Sequence, residues 1–177
     1  MKNLNDTNIL KMSDLMRYNG RYKIKNENIA EHSFYVGYNV LNICHKYNIP
    51  DEIKLKALEF AVIHDIPELY TNDICYITKR DNPKLAAILD EVERDFVENE
   101  MPEIKDAFIK LQESKYSIEH LILKLADSLS VQQFANRELA LGNKSDDMLE
   151  IERESRERCS NLENLLIKML SLRGNHE

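Results

Sequence analysis

Cysteine, proline, glycine and tryptophan are all scarce in this sequence: 177 residues hold three cysteines, four prolines, four glycines and no tryptophan. Cys44, Cys75 and Cys159 are too few and too scattered for a disulfide framework or a Cys-x-x-Cys zinc site. Cys44 and Cys159 fall in apolar helical patterns and read as small buried hydrophobes. No apolar run approaches the roughly 20 residues that a membrane span requires. The polar start Lys2-Asn3-Leu4-Asn5-Asp6 lacks the apolar core of a signal peptide, so the expected location is the cytoplasm. A formal net charge of −7 argues against a broad surface for a nucleic-acid polymer, which would be basic.

What is present is helical periodicity. Apolar residues make up 43% and charged residues 31%, a balance that suits a soluble, helix-rich globule. The length fits one domain, able to bury roughly 70% of the surface of its unfolded chain. A first helix is expected over about 6–18, with Ile9, Leu10, Leu15 and Met16 on its apolar side. A second runs from about Ala30 to Tyr47 through Val36, Val40 and Ile43. Pro50 opens a third, carrying Ile53, Ala57, Leu58, Ala61 and Val62. A fourth begins near Pro83 with Leu85, Ile88, Leu89, Val92, Phe96 and Val97, and Pro102 separates it from a short helix ending near Leu111. Ser117 opens a long helix that Gly142-Asn143 stops, and a last one covers about 146–172. Its apolar second half (Leu162, Leu165, Leu166, Met169, Leu170) either completes the core or meets a second subunit. Strand signals are weak, the best being Ile74 to Ile77. With no repeat and no dividing linker, the expectation is an all-α single domain over 1–177.

Charge is distributed unevenly. The first 25 residues hold Lys2, Lys11, Arg17, Arg21, Lys23 and Lys25 against Asp6 and Asp14. Such a segment either attracts a small anion or is a solvated basic face.

Candidate chemistry centres on adjacent His64 and Asp65. His32 lies upstream, Glu68 and Asp73 follow closely, and Asp127 sits far downstream between Leu125 and Leu129. Two imidazoles and two carboxylates suit a divalent transition metal. Neighbouring helical residues project about 100° apart, so both His64 and Asp65 can reach an ion off the end of the third helix. An unpaired Asp127 among leucines would be costly, and a cation compensates that cost. His45, His120 and His176 read as structural or solvated.

Three segments resemble a known family. Glu27-Asn28-Ile29-Ala30-Glu31-His32-Ser33, His64-Asp65-Ile66-Pro67-Glu68-Leu69-Tyr70-Thr71-Asn72-Asp73 and Ala126-Asp127-Ser128-Leu129 are similar to those of HD-domain metal-dependent phosphohydrolases, in particular YfbR-type 5′-deoxynucleotidases. The likeness covers about residues 12–145. It implies an HD-domain helical bundle in which His32, His64, Asp65 and Asp127 hold one divalent metal ion such as Co²⁺ or Mn²⁺. It further implies that Glu68 and Asp73 divide the handling of the attacking water and the leaving group, and that Arg17 and Lys79 lie near the phosphate. Glu31 is either a partner of the metal ligands or a surface carboxylate. Where the family pattern has a tryptophan against the sugar, this sequence has Tyr18, which either keeps that packing or packs against the second helix.

The resemblance implies removal of phosphate from (deoxy)nucleoside monophosphates by a homodimer or larger homo-oligomer. One alternative is a dNTP triphosphohydrolase releasing tripolyphosphate, for which Arg21, Lys23, Lys25, Lys79 and Arg80 are available cations. Another is a non-catalytic nucleotide-binding protein that keeps the fold.

Overall fold

Asn28 begins the first long helix with a reciprocal cap. Its side chain accepts a hydrogen bond from the Glu31 N–H, and the Glu31 carboxylate accepts one from the Asn28 N–H. Two donors that a helix start leaves unpaired are thereby satisfied. That helix, α1, spans Ile29–Lys46. The computed structural model describes residues 8–174. Its other helices are α2 (Asp51–Ile63), α3 (Glu68–Thr71), α4 (Tyr76–Asp81), α5 (Pro83–Glu100), α6 (Lys105–Glu113), α7 (Ile118–Ala140) and α8 (Asp146–Gly174), with a short 3-10 helix at Asn8–Ser13. Among the described residues the sole β pairing is an isolated bridge between Met16 and Asn28. The all-α single-domain expectation is met over the described residues.

α7 is the central element, packing along α8, α1 and α2. Ser117 caps it by accepting from the His120 N–H, and Gly142 ends it at φ +97°, a backbone state open to glycine without steric cost. Ile122, Leu123 and Ala126 of α7 meet Ile29, Val36 and Val40 of α1 and Ala57, Phe60 and Ala61 of α2 in one core. Burying each larger apolar side chain contributes about 1.5–3 kcal/mol. Leu166 of α8 is also fully buried there, with Leu162, Met169 and Leu170 packed at its margin, so the last helix completes this core. Leu165 remains exposed.

Three local expectations are corrected. Residues 6 and 7 of the expected first helix lie outside the described residues, and the rest forms the 3-10 helix. There Met12 is buried, while Ile9 and Leu10 face solvent, because three residues per turn rotate the apolar set away from its α-helical positions. Ile74–Ile77 does not form a strand. Among the described residues no neighbouring strand pairs its backbone, and Tyr76 starts α4 instead. In α5 only Val97 of the apolar stripe is fully buried, since this helix packs at the periphery on α3, α4 and α6.

The irregular segment 14–28 is held from both ends. The Arg17 N–H donates to Glu27 O and the Ile29 N–H to Leu15 O. Glu138, near the end of α7 and fully buried, accepts from the Ile24 N–H at 2.6 Å, the Lys25 N–H at 2.7 Å and Asn143 Nδ2 at 2.9 Å. Removing the carboxylate would take its partner from two part-buried backbone donors, each loss costing about 1–3 kcal/mol. Glu138→Ala is therefore expected to lower stability by about 2–4 kcal/mol in urea unfolding; a loss below about 1 kcal/mol would show that water or another group satisfies the segment.

Candidate active site

His32 sits in the first turn of α1 and is fully buried. Its Nε2 lies 3.4 Å from Asp65 Oδ2 and 3.3 Å from Asp127 Oδ1. His64, at the end of α2, places its own Nε2 3.2 Å from the same Asp65 oxygen. Ligand atoms of His32, His64 and Asp65 all fall within 4.8 Å of one another. Three helices therefore bring the predicted ligands together, Asp127 of α7 meeting the same His32 nitrogen as Asp65.

Hydrogen bonding on the far side of each ring determines what its near side offers. His64 Nδ1 is 2.9 Å from Ala61 O, so it carries the proton and leaves Nε2 as a lone pair. His32 Nδ1 has two neighbours, Arg17 Nη1 at 2.6 Å and Ser130 Oγ at 3.1 Å. A guanidinium only donates, so contact with Arg17 makes Nδ1 an acceptor and puts the proton on Nε2, facing the carboxylates. The other tautomer donates from Nδ1 to Ser130 and frees Nε2. Both Nε2 atoms are buried without a hydrogen-bond partner. Two orphaned imidazole nitrogens facing two carboxylates fit a divalent cation.

The electrostatics run the same way. Burial would raise the Asp65 carboxyl, but His64 and then His32 outweigh it and hold the group well below its ordinary value. Asp127 is depressed likewise, with His32 overcoming the effect of burial. Burial and then Arg17 lower His32; burial opposes but Asp65 raises His64. Glu68 differs. Burial, then the charges of Asp65 and Asp73, push it up to about 9 despite Lys79 and Arg17. Lys79 Nζ is 3.7 Å from one Glu68 oxygen, and the other is buried without a partner.

These groups border one cavity of about 860 Å³, with Arg17, Tyr18, Glu68, Asp73, Lys79 and Asp127 in its wall. Arg17 donates to Glu27 Oε1 at 2.8 Å, and its guanidinium lies 5.2 Å from the centre of the Tyr18 ring. Tyr18, at φ +58°, stacks on Phe134 of α7 with centroids 4.1 Å apart and planes 7° from parallel. Its packing partner is thus α7 rather than the second helix. Glu31 belongs to the α1 cap. Sequence reasoning missed Glu27 and Ser130, whose roles depend on long-range contacts, and the α8 wall of the cavity, which includes Ile151, Glu154 and Arg158. Of the histidines set aside, His176 lies outside the described residues.

The helix order and the buried His, His-Asp, Asp cluster define an HD-domain fold. Solved structures agree. The HD phosphohydrolase DatZ of cyanophage S-2L, bound to dA and one catalytic Zn²⁺ ion, is similar at TM-score 0.75 and 16% identity, covering 100% of both chains. An HD-domain phosphohydrolase from Listeria innocua is similar at TM-score 0.72 and 20% identity, over 93% of this chain and 85% of that one. The PH0347 protein from Pyrococcus horikoshii is similar at TM-score 0.66 and 26% identity, over 91% and 94%. No curated protein matches the sequence.

The 5′-deoxynucleotidase YfbR-like family model matches residues 7–170, and the chain belongs to that family. It is a metal-dependent phosphohydrolase.

Glu68 makes the site sensitive to pH in the metal-free protein. Its folded value, about 9, exceeds the ordinary 4.5, so its contribution is present below about pH 4.5 and is lost as pH rises through the folded value. Glu68→Gln is expected to raise the Tm of metal-free protein more at pH ~8 than at pH ~5. An equal shift at both would mean that Glu68 is ionised in the folded state.

Proposed function

We propose that this protein is a 5′-nucleotidase that removes phosphate from deoxynucleoside monophosphates, using one divalent transition metal ion held by His32, His64, Asp65 and Asp127. The observation that carries this reading is that, with buried His32 behind Asp65 and Asp127, the groups His64, Asp65, Asp127, Glu68, Asp73 and Arg17 are placed around one cavity. Its volume, about 860 Å³, lies within the range of small-molecule sites. Family membership supports a nucleotide substrate, and the dA and Zn²⁺ bound by DatZ support a nucleoside and a transition metal.

When bound, the ion supplies acidified water and a polarised phosphoryl oxygen. The chain's own residues do the rest. Arg17, held by Glu27 and lying over Tyr18, presents a permanent positive charge to the phosphate oxygens, stabilising charge that grows on them. Lys79 adds a second cation from α4. Glu68 and Asp73 divide the proton transfers, one removing a proton from the attacking water and one returning a proton to the departing 5′ oxygen. A Glu68 carboxyl raised by burial and by Asp65 and Asp73 holds its proton near neutrality, as an acid in this reaction needs.

A dNTP triphosphohydrolase is the second reading. Among the cations named for it, Arg21 is paired with Asp147 and Arg80 with Asp81 and Glu154. Lys23 Nζ donates to Arg17 O.

A panel of ribo- and deoxynucleoside mono-, di- and triphosphates with Co²⁺, Mn²⁺ or Mg²⁺ decides between them. Orthophosphate from deoxynucleoside monophosphates, abolished by EDTA, is the expected result, whereas tripolyphosphate from a triphosphate would move the protein to the second reading. Asp65→Ala is expected to lose metal and activity together, while Glu68→Ala loses turnover and keeps its metal by elemental analysis; metal loss in Glu68→Ala would remove Glu68 from the catalytic role. Arg17→Ala is expected to raise KM about 10- to 100-fold, the loss of one charge-assisted contact, and unchanged kinetics would take Arg17 out of the phosphate site.

A further inference from the structure

Six cations line the cavity: Arg17, Arg21, Lys79, Arg80, Lys124 and Arg158. Arg17 pairs with Glu27, Arg21 with Asp147, and Arg80 with Asp81 and Glu154, while Lys79 lies 3.7 Å from the Glu68 carboxyl. Among the described residues Lys124 and Arg158 have no carboxylate partner, although Asp65, Glu68, Asp73, Asp127, Glu154 and Glu157 border the same space.

Their positions are defined by two antiparallel helices. Lys124 lies one turn before Asp127 on α7, and its charge acts on both His64 and Asp127. Residues equally distant from the turn between α7 and α8 face each other, which puts Arg158 and Cys159 across from Asp127. The charge of Asp127 reaches Cys159, in keeping with that register. Arg158 itself lies 4.8 Å from the centre of the Tyr76 ring at the start of α4. Arg17 approaches from elsewhere, over the Tyr18 ring that stacks on Phe134, two turns beyond Asp127 along α7.

We propose that Lys124 and Arg158 form a second seat for phosphoryl oxygens, on the side of the metal ligands away from Arg17. Two cations that form no ion-pair contact with a carboxylate, facing a cavity, supply the charge that a phosphate oxyanion needs and that Arg17 cannot provide from its own side. The seat holds either the remaining oxygens of the reacting phosphate or the further phosphates of a polyphosphate chain. The inference rests on the phosphohydrolase reading of the cavity, and not on which nucleotide is cleaved.

Calorimetric binding of orthophosphate and of tripolyphosphate to the Mn²⁺-loaded protein tests it without turnover. Lys124→Gln and Arg158→Gln are each expected to weaken anion binding about tenfold, the loss of one charge-assisted contact of about 1.4 kcal/mol. Metal content and Tm should stay near wild type, and Lys124→Arg should restore binding. Arg153→Ala, an exposed charge on α8 outside the cavity wall, is the control for net charge. Weakening of both anions assigns the seat to the reacting phosphate; weakening of tripolyphosphate alone assigns it to further phosphates. Unchanged binding of both anions in both variants overturns the proposal, as does a loss equal to that in the Arg153 control. A wild-type protein that binds these anions but releases nothing from any nucleotide would defeat the nucleotidase reading and leave this one standing.

Discussion

One shared carboxylate oxygen organises the site: Asp65 Oδ2 lies between the Nε2 atoms of His32 and His64. Two imidazole nitrogens buried without a hydrogen-bond partner are unfavourable unless something meets them. Two adjacent carboxylates are likewise unfavourable unless cations compensate them. Each half of the cluster therefore needs the other, and a divalent ion satisfies both. The same charges set the state of Glu68, whose proton is retained because Asp65 and Asp73 already bring negative charge to a dry corner. Metal affinity and acid–base chemistry thus have a common electrostatic origin.

Holding that cluster is mainly the work of α7. It supplies Asp127 to the ligands, Ser130 to His32, Phe134 to Tyr18 and Glu138 to the 14–28 segment. A carboxylate in the last turn of a helix opposes the helix dipole, and Glu138 is fully buried as well. Two short backbone donors and Asn143 offset that cost. The result is that an irregular segment carrying Arg17 and Tyr18 is tied to the same rigid helix as Asp127, so Arg17 and the His-Asp cluster share one frame.

The cavity wall carries both cations and carboxyl groups, in a chain whose formal net charge is −7. Ion pairing reconciles the two. Arg21 and Arg80 reach Asp147 and Glu154 of α8, which joins the opening segments of the chain and α4 to the last helix through side chains.

Much of this was legible in the sequence. The long helices α1, α2, α5, α7 and α8 follow from apolar residues at three- and four-residue intervals bounded by Asn28, Pro50, Pro83, Ser117 and Gly142, because periodicity and caps are local properties. His32, His64, Asp65 and Asp127 were identifiable because few other combinations of ligand types in an all-helical chain suit one metal. What required the tertiary structure depends on distance through space. Met12 replaces Ile9 and Leu10 in the core because a 3-10 helix forms, and α4 replaces a strand because the described residues offer no partner strand. Glu27 beside Arg17, Glu138 beneath the 14–28 segment, Phe134 against Tyr18 and Arg158 in the cavity wall are joined by contacts between residues far apart in the chain, and no local pattern records which buried donor a distant carboxylate will meet.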